Sequence, residues 1–260
     1  MRSSRSVPPE APTPIVCPDL PAVDPRHAWL TGQPFAHRGL HGAAVPENSR
    51  SAFAAAIRDG HGIELDVRLS RDGYAVVFHD AELARLTGHR GRVADLTVAQ
   101  LSELTLAGGR DRIEALPQVL DFVARRAPLL IELKTDDDPH VAARLCLSVR
   151  YALEGYRGRA AVMSFDPAVG EWFALHAPDV PRGLVIGTAA RHPLQSLRTR
   201  LHLRRARPHF LAHDVRSLPS RLAARARRRG LPVLAWTVRS AEDYAVSRGN
   251  ADQIIFESPR

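Results

Sequence analysis

Short apolar runs alternate with longer amphipathic segments along most of this chain. Runs such as AAVMSF, RGLVIG and PVLAWTV are each followed by a stretch whose apolar side chains recur at helical spacing. Strand followed by helix, repeated, predicts a parallel sheet with helices outside it, and therefore the α/β class. Eight runs are predicted to be such strands: residues 35–39, 62–67, 129–134, 160–165, 183–187, 210–214, 232–238 and 253–257.

The number of these units distinguishes between two α/β folds. Eight strand and helix units in a chain of 260 residues fit a (β/α)8 TIM barrel. A doubly wound open sheet is the alternative, because alternation by itself does not show whether the sheet closes. We expect the barrel.

One predicted element departs from the alternation and forms a hairpin. After GIELDVRLS, the Asp-Gly dipeptide at residues 72–73 is a strong signal for a two-residue turn, and YAVVFHD follows as a second strand. If the two residues that flank this turn pair across the strands, His79 lies opposite Asp66 and on the same face as Glu64. The local sequence therefore predicts two carboxylates and an imidazole side by side.

Composition and the N-terminal segment indicate a single soluble domain with an arm. Proline is frequent in residues 1–25, where the hydrophobic pattern is weak, so we expect an extended or disordered arm there. Residues 26–260 are expected to form one domain, because 45% hydrophobic side chains can bury a full core. Signal-peptide and membrane-span patterns are lacking, and the two cysteines, Cys17 and Cys146, are too few for a disulfide framework. A cytoplasmic location is predicted.

The chain is basic, with a formal net charge of +8. A basic surface attracts phosphate esters, nucleic acid and acidic lipid headgroups alike, so the charge does not choose among them. Arginines concentrate at residues 198–208 and 225–230, both on predicted outer helices. A solvated helix face is the plainer interpretation, and a weak contact with an anionic membrane surface is the alternative. Nucleic acid is not expected, because no nucleic-acid-binding module signature accompanies the arginines.

Polar residues collect where the first predicted strands end, which in a TIM barrel is the end that holds the active site. Glu64, Asp66 and Glu132 would repel one another there unless a cation lay among them. Carboxylate ligands without cysteine favour a hard ion such as Mg²⁺ or Ca²⁺.

Basic and titratable side chains join these carboxylates at the same strand ends. Arg38 and Lys134 add positive charge suited to a phosphate group. His37 and His79 are candidates for proton transfer. Taken singly, each residue has a plainer interpretation as a solvated or structural group, but solvated residues have no reason to meet at one end of consecutive strands.

Six short motifs follow one another in the order AHRG, PENS, ELDV, VVFHD, IELK and AWTV. In order and spacing they resemble the HRG, PENT, ExD, HD, ExK and WTV motifs of the glycerophosphodiester phosphodiesterase family. The resemblance extends over residues 35–257 and implies a TIM barrel with a small insertion after the hairpin of the second strand, at about residues 81–117. It also implies a metal-dependent phosphodiesterase that hydrolyses glycerophosphodiesters to sn-glycerol 3-phosphate and an alcohol.

The resemblance implies roles for individual residues. One divalent metal ion, Mg²⁺ or Ca²⁺, would be held by Glu64, Asp66 and Glu132, and His37 and His79 would be the catalytic residues. Substrate contacts are expected from Arg38, Lys134 and Trp236, and further candidates for the site are Glu47, Asn48, His213 and Glu257.

Three positions depart from the family motifs. Ser49 stands where threonine is common and keeps the hydroxyl group. Glu257 stands near the position of an aspartate, and Arg239 follows WTV where asparagine is frequent. We expect Glu257 to alter the rim of the pocket and Arg239 to favour a more anionic substrate.

Three functions are open on this evidence. The first is hydrolysis of soluble glycerophosphodiesters such as glycerophosphocholine, which fits a chain without an obvious apolar lid. The second is a lysophospholipase D-type or other phosphodiester hydrolysis on the same barrel. The third is a non-catalytic barrel that binds phosphoesters or lipids, and the presence of both histidines, all three carboxylates and Lys134 argues against it.

Overall fold

The computed structural model describes residues 24–136, 138–187 and 193–257, without the side chains of residues 193–196. Its strands are β1 Phe35–Ala36, β2 Gly62–Leu69, β3 Ala75–Val77, β4 Leu129–Leu133, β5 Ala160–Ser164, β6 Arg182–Ile186, β7 Phe210–Asp214, β8 Val233–Val238 and β9 Gln253–Phe256. Its α-helices are α1 Arg50–Arg58, α2 Ala84–Thr87, α3 Val98–Leu101, α4 Leu116–Val123, α5 Pro139–Leu153, α6 Pro167–His176, α7 Pro193–Ala206, α8 Arg221–Arg227 and α9 Ala241–Asn250. The predicted arm lies outside the described residues except for Asp24 and Pro25, and so does Cys17.

Eight parallel strands form a closed barrel. The strands follow one another around the ring as β1, β2, β4, β5, β6, β7, β8 and β9, and β1 pairs with both β2 and β9. These two pairings close the sheet, so the predicted TIM barrel is confirmed and the open doubly wound sheet is wrong. All eight predicted strands are present, with shifts at their ends.

Apolar side chains fill the barrel and close its amino-terminal end. A 3-10 helix at Pro25–Thr31 precedes β1, and Gln253 at the start of β9 donates a hydrogen bond to the carbonyl of Thr31 at 3.0 Å. Leu30 of this helix belongs to the interior cluster. The cluster contains Leu30, Phe35, Leu130, Ala161, Met163, Val185, Phe210, Ala212, Leu234 and Ile255. The polar side chains lie at the opposite end of the barrel, at the carboxyl ends of the strands.

Capping residues start the helices that follow several of the strands. The side chain of each accepts a hydrogen bond from a backbone N–H in the first helical turn, which satisfies a donor that the helix cannot. These residues are Ser49, Asp138, Asp166, Ser220 and Ser240. Because the caps begin helices soon after strands end, they fix the loops that surround the mouth of the barrel. Among the described residues, no helix has both the length and the apolar character that crossing a membrane requires.

The antiparallel hairpin of β2 and β3 is confirmed, but its predicted register is wrong by one residue. Val67 pairs with Val77, so the loop contains three residues, 71–73, instead of two. The hydroxyl of Ser70 accepts a hydrogen bond from the backbone N–H of Tyr74 at 3.0 Å. The last loop residue, a glycine, has a φ of 89°, as a three-residue hairpin loop requires.

The corrected register changes what lies opposite the polar face of β2. Phe78, rather than His79, is opposite Asp66, and its N–H donates to the Asp66 carbonyl at 3.0 Å. Since β3 ends at Val77, the chain has left the regular ladder before it reaches His79. The orientation of His79 is therefore set by its own contacts and not by strand alternation.

A small lobe follows β3, in the region of the predicted insertion. It includes α2, α3 and a 3-10 helix at Val93–Asp95. An apolar cluster of its own holds it together, formed by Val76, Phe78, Leu83, Val93, Leu101, Leu106 and Ile113. Two members of the cluster come from the β3 segment, so the lobe is anchored next to the mouth of the barrel.

Candidate active site

Three carboxylates are buried together near the carboxyl ends of β2 and β4. Asp66 and Glu132 are register partners on these neighbouring strands, and Glu64 precedes Asp66 on the same face of β2. Glu64 and Asp66 are 0% exposed, and Glu132 is 6% exposed. One oxygen from each lies within 4.8 Å of the others. Carboxylates are not buried this deeply without compensation by cations or hydrogen bonds.

The carboxylate cluster can hold a metal ion. Glu64 Oε1 is buried and receives no hydrogen bond from any residue that the structure describes, whereas Asp66 Oδ1 lies 3.0 Å from Lys134 Nζ. Three carboxylates at this spacing, one of them with an unpaired buried oxygen, suit a hard divalent cation, which prefers carboxylate ligands. A second group with ligand atoms this close consists of His37, His41 and Glu257, but Glu257 is already held by Arg239.

The three carboxyl groups differ in their affinity for protons. Burial raises the pKa of Glu64 well above its usual range, and the neighbouring charges of Asp66 and Glu132 raise it further. Burial also raises the pKa of Glu132. Burial acts in the same direction on Asp66, but Lys134 and Arg38 outweigh it and hold the pKa of Asp66 below its usual range. Asp66 is therefore the carboxylate that stays ionised when the cluster holds protons.

Lys134 and Arg38 lie directly against the carboxylates. Lys134 Nζ is 3.0 Å from Asp66 Oδ1 and donates a hydrogen bond to Glu132 Oε1. Arg38 Nε is 3.2 Å from Asp66 Oδ2, and the backbone N–H of Arg38 donates to Glu64 Oε2 at 2.9 Å. The structure thus brings together both basic residues and all three carboxylates that the sequence singled out.

The turn after β1 is fixed by Asn48 of the PENS motif. Arg38 and Asn48 both have left-handed backbone angles, with φ of 56° and 54°. The N–H of Asn48 donates to the Arg38 carbonyl at 2.9 Å. Its side-chain amide donates to Asp66 Oδ2 at 2.9 Å and accepts from the Asp66 N–H at 3.2 Å. Asn48 therefore links the loop that carries Arg38 to the strand that carries Asp66.

His37 is held by a carboxylate that follows β9, the strand that pairs with β1 to close the barrel. Its Nδ1 donates to Glu257 Oε1 at 2.7 Å, because an ionised carboxylate only accepts, and its Nε2 lies 3.9 Å from Glu64 Oε2. Burial lowers the pKa of His37, although the hydrogen bond to Glu257 opposes this. The ring is therefore neutral near pH 7, with its proton on Nδ1 and a free lone pair on Nε2.

His79 has a similar environment at the end of the β3 segment. Its Nδ1 donates to Asp80 Oδ1 at 2.7 Å, and Arg85 Nε donates to Asp80 Oδ2 at 2.5 Å. Burial lowers the pKa of His79, while the charge of Asp66 raises it. Each histidine is thus the last member of a series of hydrogen bonds, in which an arginine donates to a carboxylate and the histidine ring donates to the same carboxylate.

Arg85 belongs to this site although sequence reasoning missed it. It lies on α2, and besides Asp80 it contacts Glu47, donating to Oε1 at 2.7 Å and to Oε2 at 3.0 Å. Glu47 also accepts from Arg38 Nη1 at 2.8 Å. No sequence pattern indicated that a residue of the lobe would reach the PENS glutamate, since the contact joins segments 38 residues apart.

Two aromatic side chains border the polar cluster. Phe165, directly after β5, is 44% exposed, and its ring meets the ring of Trp236 edge to face at 5.4 Å. Lys134 Nζ lies 5.9 Å from the centre of the Phe165 ring. Trp236 is oriented by a hydrogen bond from its indole N–H to the Ala212 carbonyl at 3.1 Å. Phe165 was not singled out from the sequence, but an aromatic residue at a strand end is a signal that could have identified it.

His213 does not join the carboxylate cluster. It is 1% exposed, and its Nδ1 donates to the backbone carbonyl of Asp214 at 3.1 Å. Its Nε2 lies 3.1 Å from the hydroxyl of Ser220, the residue that caps α8. Both ring nitrogens are therefore engaged in holding the loop after β7.

Comparisons with known proteins assign this architecture to a family. A family model described as "Glycerophosphoryl diester phosphodiesterase family" matches residues 37–260. A "Probable glycerophosphodiester phosphodiesterase 1" of Mycobacterium tuberculosis is 29% identical over 243 residues, which cover 84% of this chain and 87% of the relative. A "Glycerophosphodiester phosphodiesterase" of Caldanaerobacter subterraneus subsp. tengcongensis is 27% identical over 86% of this chain and 93% of its own length.

Solved structures have the same fold. A glycerophosphodiester phosphodiesterase of Thermotoga maritima is 28% identical with a TM-score of 0.69, covering 85% of this chain and 92% of the other. A phosphodiesterase of Oleispira antarctica, solved in complex with the product sn-glycerol-3-phosphate, has a TM-score of 0.74 at 21% identity, covering 91% of this chain and 93% of the other.

Proposed function

This chain belongs to the glycerophosphoryl diester phosphodiesterase family, and from that premise we propose that it hydrolyses glycerophosphodiesters to sn-glycerol 3-phosphate and an alcohol. The observation that best supports this is the buried trio of Glu64, Asp66 and Glu132, in which Glu64 Oε1 is unpaired, beside two histidines that are each held by a carboxylate. The product found in the Oleispira antarctica relative is consistent with the same substrate class.

A single divalent ion, Mg²⁺ or Ca²⁺, would be held by the three carboxylates Glu64, Asp66 and Glu132. When bound, such an ion supplies positive charge to the phosphoryl oxygens and orients the phosphate. The ligand set favours these two metals because every donor is a hard oxygen atom. The unpaired Glu64 Oε1 supports this assignment, because an isolated buried oxygen is costly unless a cation or donor compensates it.

His37 and His79 transfer the protons of the reaction. Phosphodiester hydrolysis requires a nucleophilic oxygen to lose a proton and the departing alkoxide to gain one. In both rings Nδ1 is bound to a carboxylate, so Nε2 is the atom that accepts or delivers the proton. A lowered pKa favours the neutral ring, which is the form that a base needs at the start, and the histidine that protonates the departing alkoxide must first gain a proton on Nε2.

Charged and aromatic side chains at the mouth bind the substrate. Arg38 and Lys134 supply positive charge to the phosphate group. Glu47 and Asn48 hold Arg38 and Asp66 in place through the hydrogen bonds already described. Trp236 and Phe165 form an apolar wall that suits the carbon skeleton of a glycerol moiety.

The test is a substrate panel with product analysis. Purified protein is incubated with glycerophosphocholine, glycerophosphoethanolamine and lysophospholipids, with Mg²⁺, with Ca²⁺ or with a chelator. We expect sn-glycerol 3-phosphate from the glycerophosphodiesters and loss of turnover with the chelator. Phosphate retained on the headgroup would contradict the proposed reaction, and turnover of lysophospholipids alone would establish the lysophospholipase D-type alternative.

Matched variants separate metal binding from general charge in this assay. Glu64→Gln removes a carboxylate from the cluster without changing its shape, and we expect it to abolish turnover. Glu171→Gln makes the same chemical change on α6, where Glu171 pairs with Arg205 at 2.5 Å, and we expect wild-type turnover. Full activity of the wild type after exhaustive chelation would contradict the metal site.

A cytoplasmic location and a weak contact with anionic membranes are further proposals. On α7, Leu197 and Leu201 are 55% and 56% exposed, one directly before and one within the arginine-rich segment, which supports surface contact there. In α8 the support is weaker, because Arg227 is buried and pairs with Asp252 at 2.9 Å. Binding to phosphatidylserine vesicles that persists at physiological salt would support the contact, and binding that vanishes there would leave only general charge. Fractionation of the source cells tests the location.

A further inference from the structure

Three residues from neighbouring strand ends form a continuous chain of polar contacts. Arg239 directly follows β8, Glu257 directly follows β9, and His37 directly follows β1, so they lie side by side around the mouth. Arg239 donates from Nε to Glu257 Oε2 at 2.8 Å and from Nη2 to Glu257 Oε1 at 2.9 Å. Glu257 Oε1 in turn accepts from His37 Nδ1 at 2.7 Å.

The geometry of this chain fixes the His37 ring. A guanidinium group that donates two parallel hydrogen bonds holds both oxygens of a carboxylate in one plane. The backbone on both sides is also tied down: the N–H of Glu257 donates to the Val238 carbonyl at 3.0 Å, and the N–H of Arg239 donates to Asp243 Oδ2 at 2.9 Å. The oxygen that accepts the hydrogen bond from His37 Nδ1 therefore has little freedom to move.

We infer that Arg239 is a positioning residue for the reaction, acting on His37 through Glu257 and not by attracting the anionic substrate. The inference rests on the proposed function, because it takes His37 as the group that transfers a proton. Two of the three positions that depart from the family motifs, Glu257 and Arg239, thus contact each other and form one unit. Since both guanidinium donors that face Glu257 are occupied, the charge of Arg239 is largely neutralised before a substrate arrives.

Steady-state kinetics distinguish positioning from substrate attraction. A positioning residue affects kcat, whereas a residue that only attracts the substrate affects KM. For Arg239→Ala we expect kcat on glycerophosphocholine to fall about 10–100-fold, the usual effect of removing a group that orients a functional side chain, with KM nearly unchanged. Arg239→Lys should recover part of kcat, because an ammonium group restores the charge but not the two parallel hydrogen bonds.

A double-mutant cycle tests whether Arg239 acts through Glu257. Glu257→Gln keeps the shape of the side chain and removes the ion pair with Arg239. We expect the double variant to have the kcat of Glu257→Gln alone, because Arg239 then has no carboxylate to hold. Losses that multiply in the double variant would show that Arg239 acts independently and would overturn the inference.

A matched control removes another arginine from the same rim. Arg216 lies just after β7 and forms an ion pair at 2.6 Å with Asp214, the last residue of that strand. Like Arg239, it is exposed. We expect Arg216→Ala to leave kcat unchanged, so that a loss in Arg239→Ala cannot come from the missing positive charge alone. A rise in KM with unchanged kcat in Arg239→Ala, matched by Arg216→Ala, would establish general attraction of the substrate instead.

The tautomer of His37 is a readout that does not need turnover. In the metal-free wild type we expect ¹H–¹⁵N NMR to show His37 with its proton on Nδ1 alone, and in Arg239→Ala we expect the Nε2 tautomer to become detectable. An unchanged single tautomer together with unchanged kcat would overturn the inference. Absence of turnover in the wild type would contradict the proposed function, and the tautomer comparison would still decide the positioning role.

Discussion

Lys134 Nζ lies 3.0 Å from Asp66 Oδ1 and also donates to Glu132, so one ammonium group serves two buried carboxylates on neighbouring strands. The negative charges of the two carboxylates raise the pKa of Lys134, although burial opposes this shift. The positive charge of Lys134 in turn lowers the pKa of Asp66. The stability of the cluster and its affinity for a cation are therefore coupled through this residue.

Replacement of Lys134 should destabilise the protein. Lys134→Met leaves Asp66 buried with less compensating charge, and we expect the free energy of unfolding to fall by up to about 3 kcal/mol, the lower end for breaking a buried ion pair. Urea unfolding without metal measures this. The double variant Lys134→Met, Glu132→Gln should recover part of the loss, because one of the carboxyl groups no longer needs a partner. Equal stability of the wild type and Lys134→Met would contradict the coupling.

Binding of a divalent ion should release protons. The raised pKa values of Glu64 and Glu132 mean that the metal-free cluster keeps protons to a higher pH than ordinary carboxyl groups do, and a cation must displace them. We therefore expect the affinity for Mg²⁺ or Ca²⁺ to rise with pH. Calorimetry in two buffers of different ionisation enthalpy at one pH measures the protons released. A binding enthalpy that is the same in both buffers would show that no proton is displaced.

The two histidines should contribute jointly to turnover. His37→Ala and His79→Ala should each lose at least about 100-fold in turnover, the low end of a general acid and base contribution, with metal affinity nearly retained. The double variant should be little worse than either single one, because groups that act as a unit are not additive. His140→Ala on α5, an exposed histidine, is the control and should keep turnover. Wild-type turnover in either single variant would refute the mechanism with two histidines.

Gly39 should tolerate no side chain, because of both its backbone angle and its surroundings. Its φ is 76°, and a Cβ atom would lie 2.8 Å from the Cβ and 2.9 Å from the backbone carbonyl carbon of Ala52 in α1. We expect Gly39→Ala to cost more than the about 1–3 kcal/mol of backbone strain alone. Gly60→Ala is the matched control, since Gly60 has a φ of 75° and no described atom within 4 Å of the added carbon. Thermal unfolding of both variants gives the difference, and equal losses would contradict the steric contribution.

His209, at the opposite end of the barrel, should make stability depend on pH. Burial and the charge of Arg182 lower its pKa from 6.5 to about 4, with His27 stacked on the ring at 4.5 Å. Between these values the unfolded chain binds a proton that the folded protein does not, so stability should fall as the pH is lowered from about 6.5 to 4. His209→Asn keeps an acceptor near Nδ1, which accepts from the Arg182 N–H at 3.3 Å, and should weaken this dependence.

Urea unfolding at pH 7 and pH 5 checks the prediction for His209. The wild type should lose more stability between the two pH values than His209→Asn does. His140→Asn serves as the control, because this exposed residue does not lie in the amino-terminal end of the barrel. The same pH dependence in the wild type and in His209→Asn would show that other groups are responsible.

The sequence by itself determined the strands and the class of fold. The eight barrel strands follow from local patterns, because apolar periodicity and turn residues act over a few positions. The same holds for the carboxylate cluster: Glu64 and Asp66 share a face of one strand, and Glu132 lies near the end of the next parallel strand in a similar motif. Closure was inferred from the number of units and is decided by the pairing of β1 with β9.

The tertiary structure alone decided how these groups are oriented and charged. The hairpin register depends on whether Ser70 closes a three-residue loop, a contact that the Asp-Gly dipeptide does not specify. The partners of the histidines come from elsewhere: Glu257 is 220 residues from His37, and Arg85 reaches Asp80 from the lobe. Hydrogen bonds and pKa shifts depend on distances of a few ångströms between side chains, and only the packing of the closed barrel sets those distances.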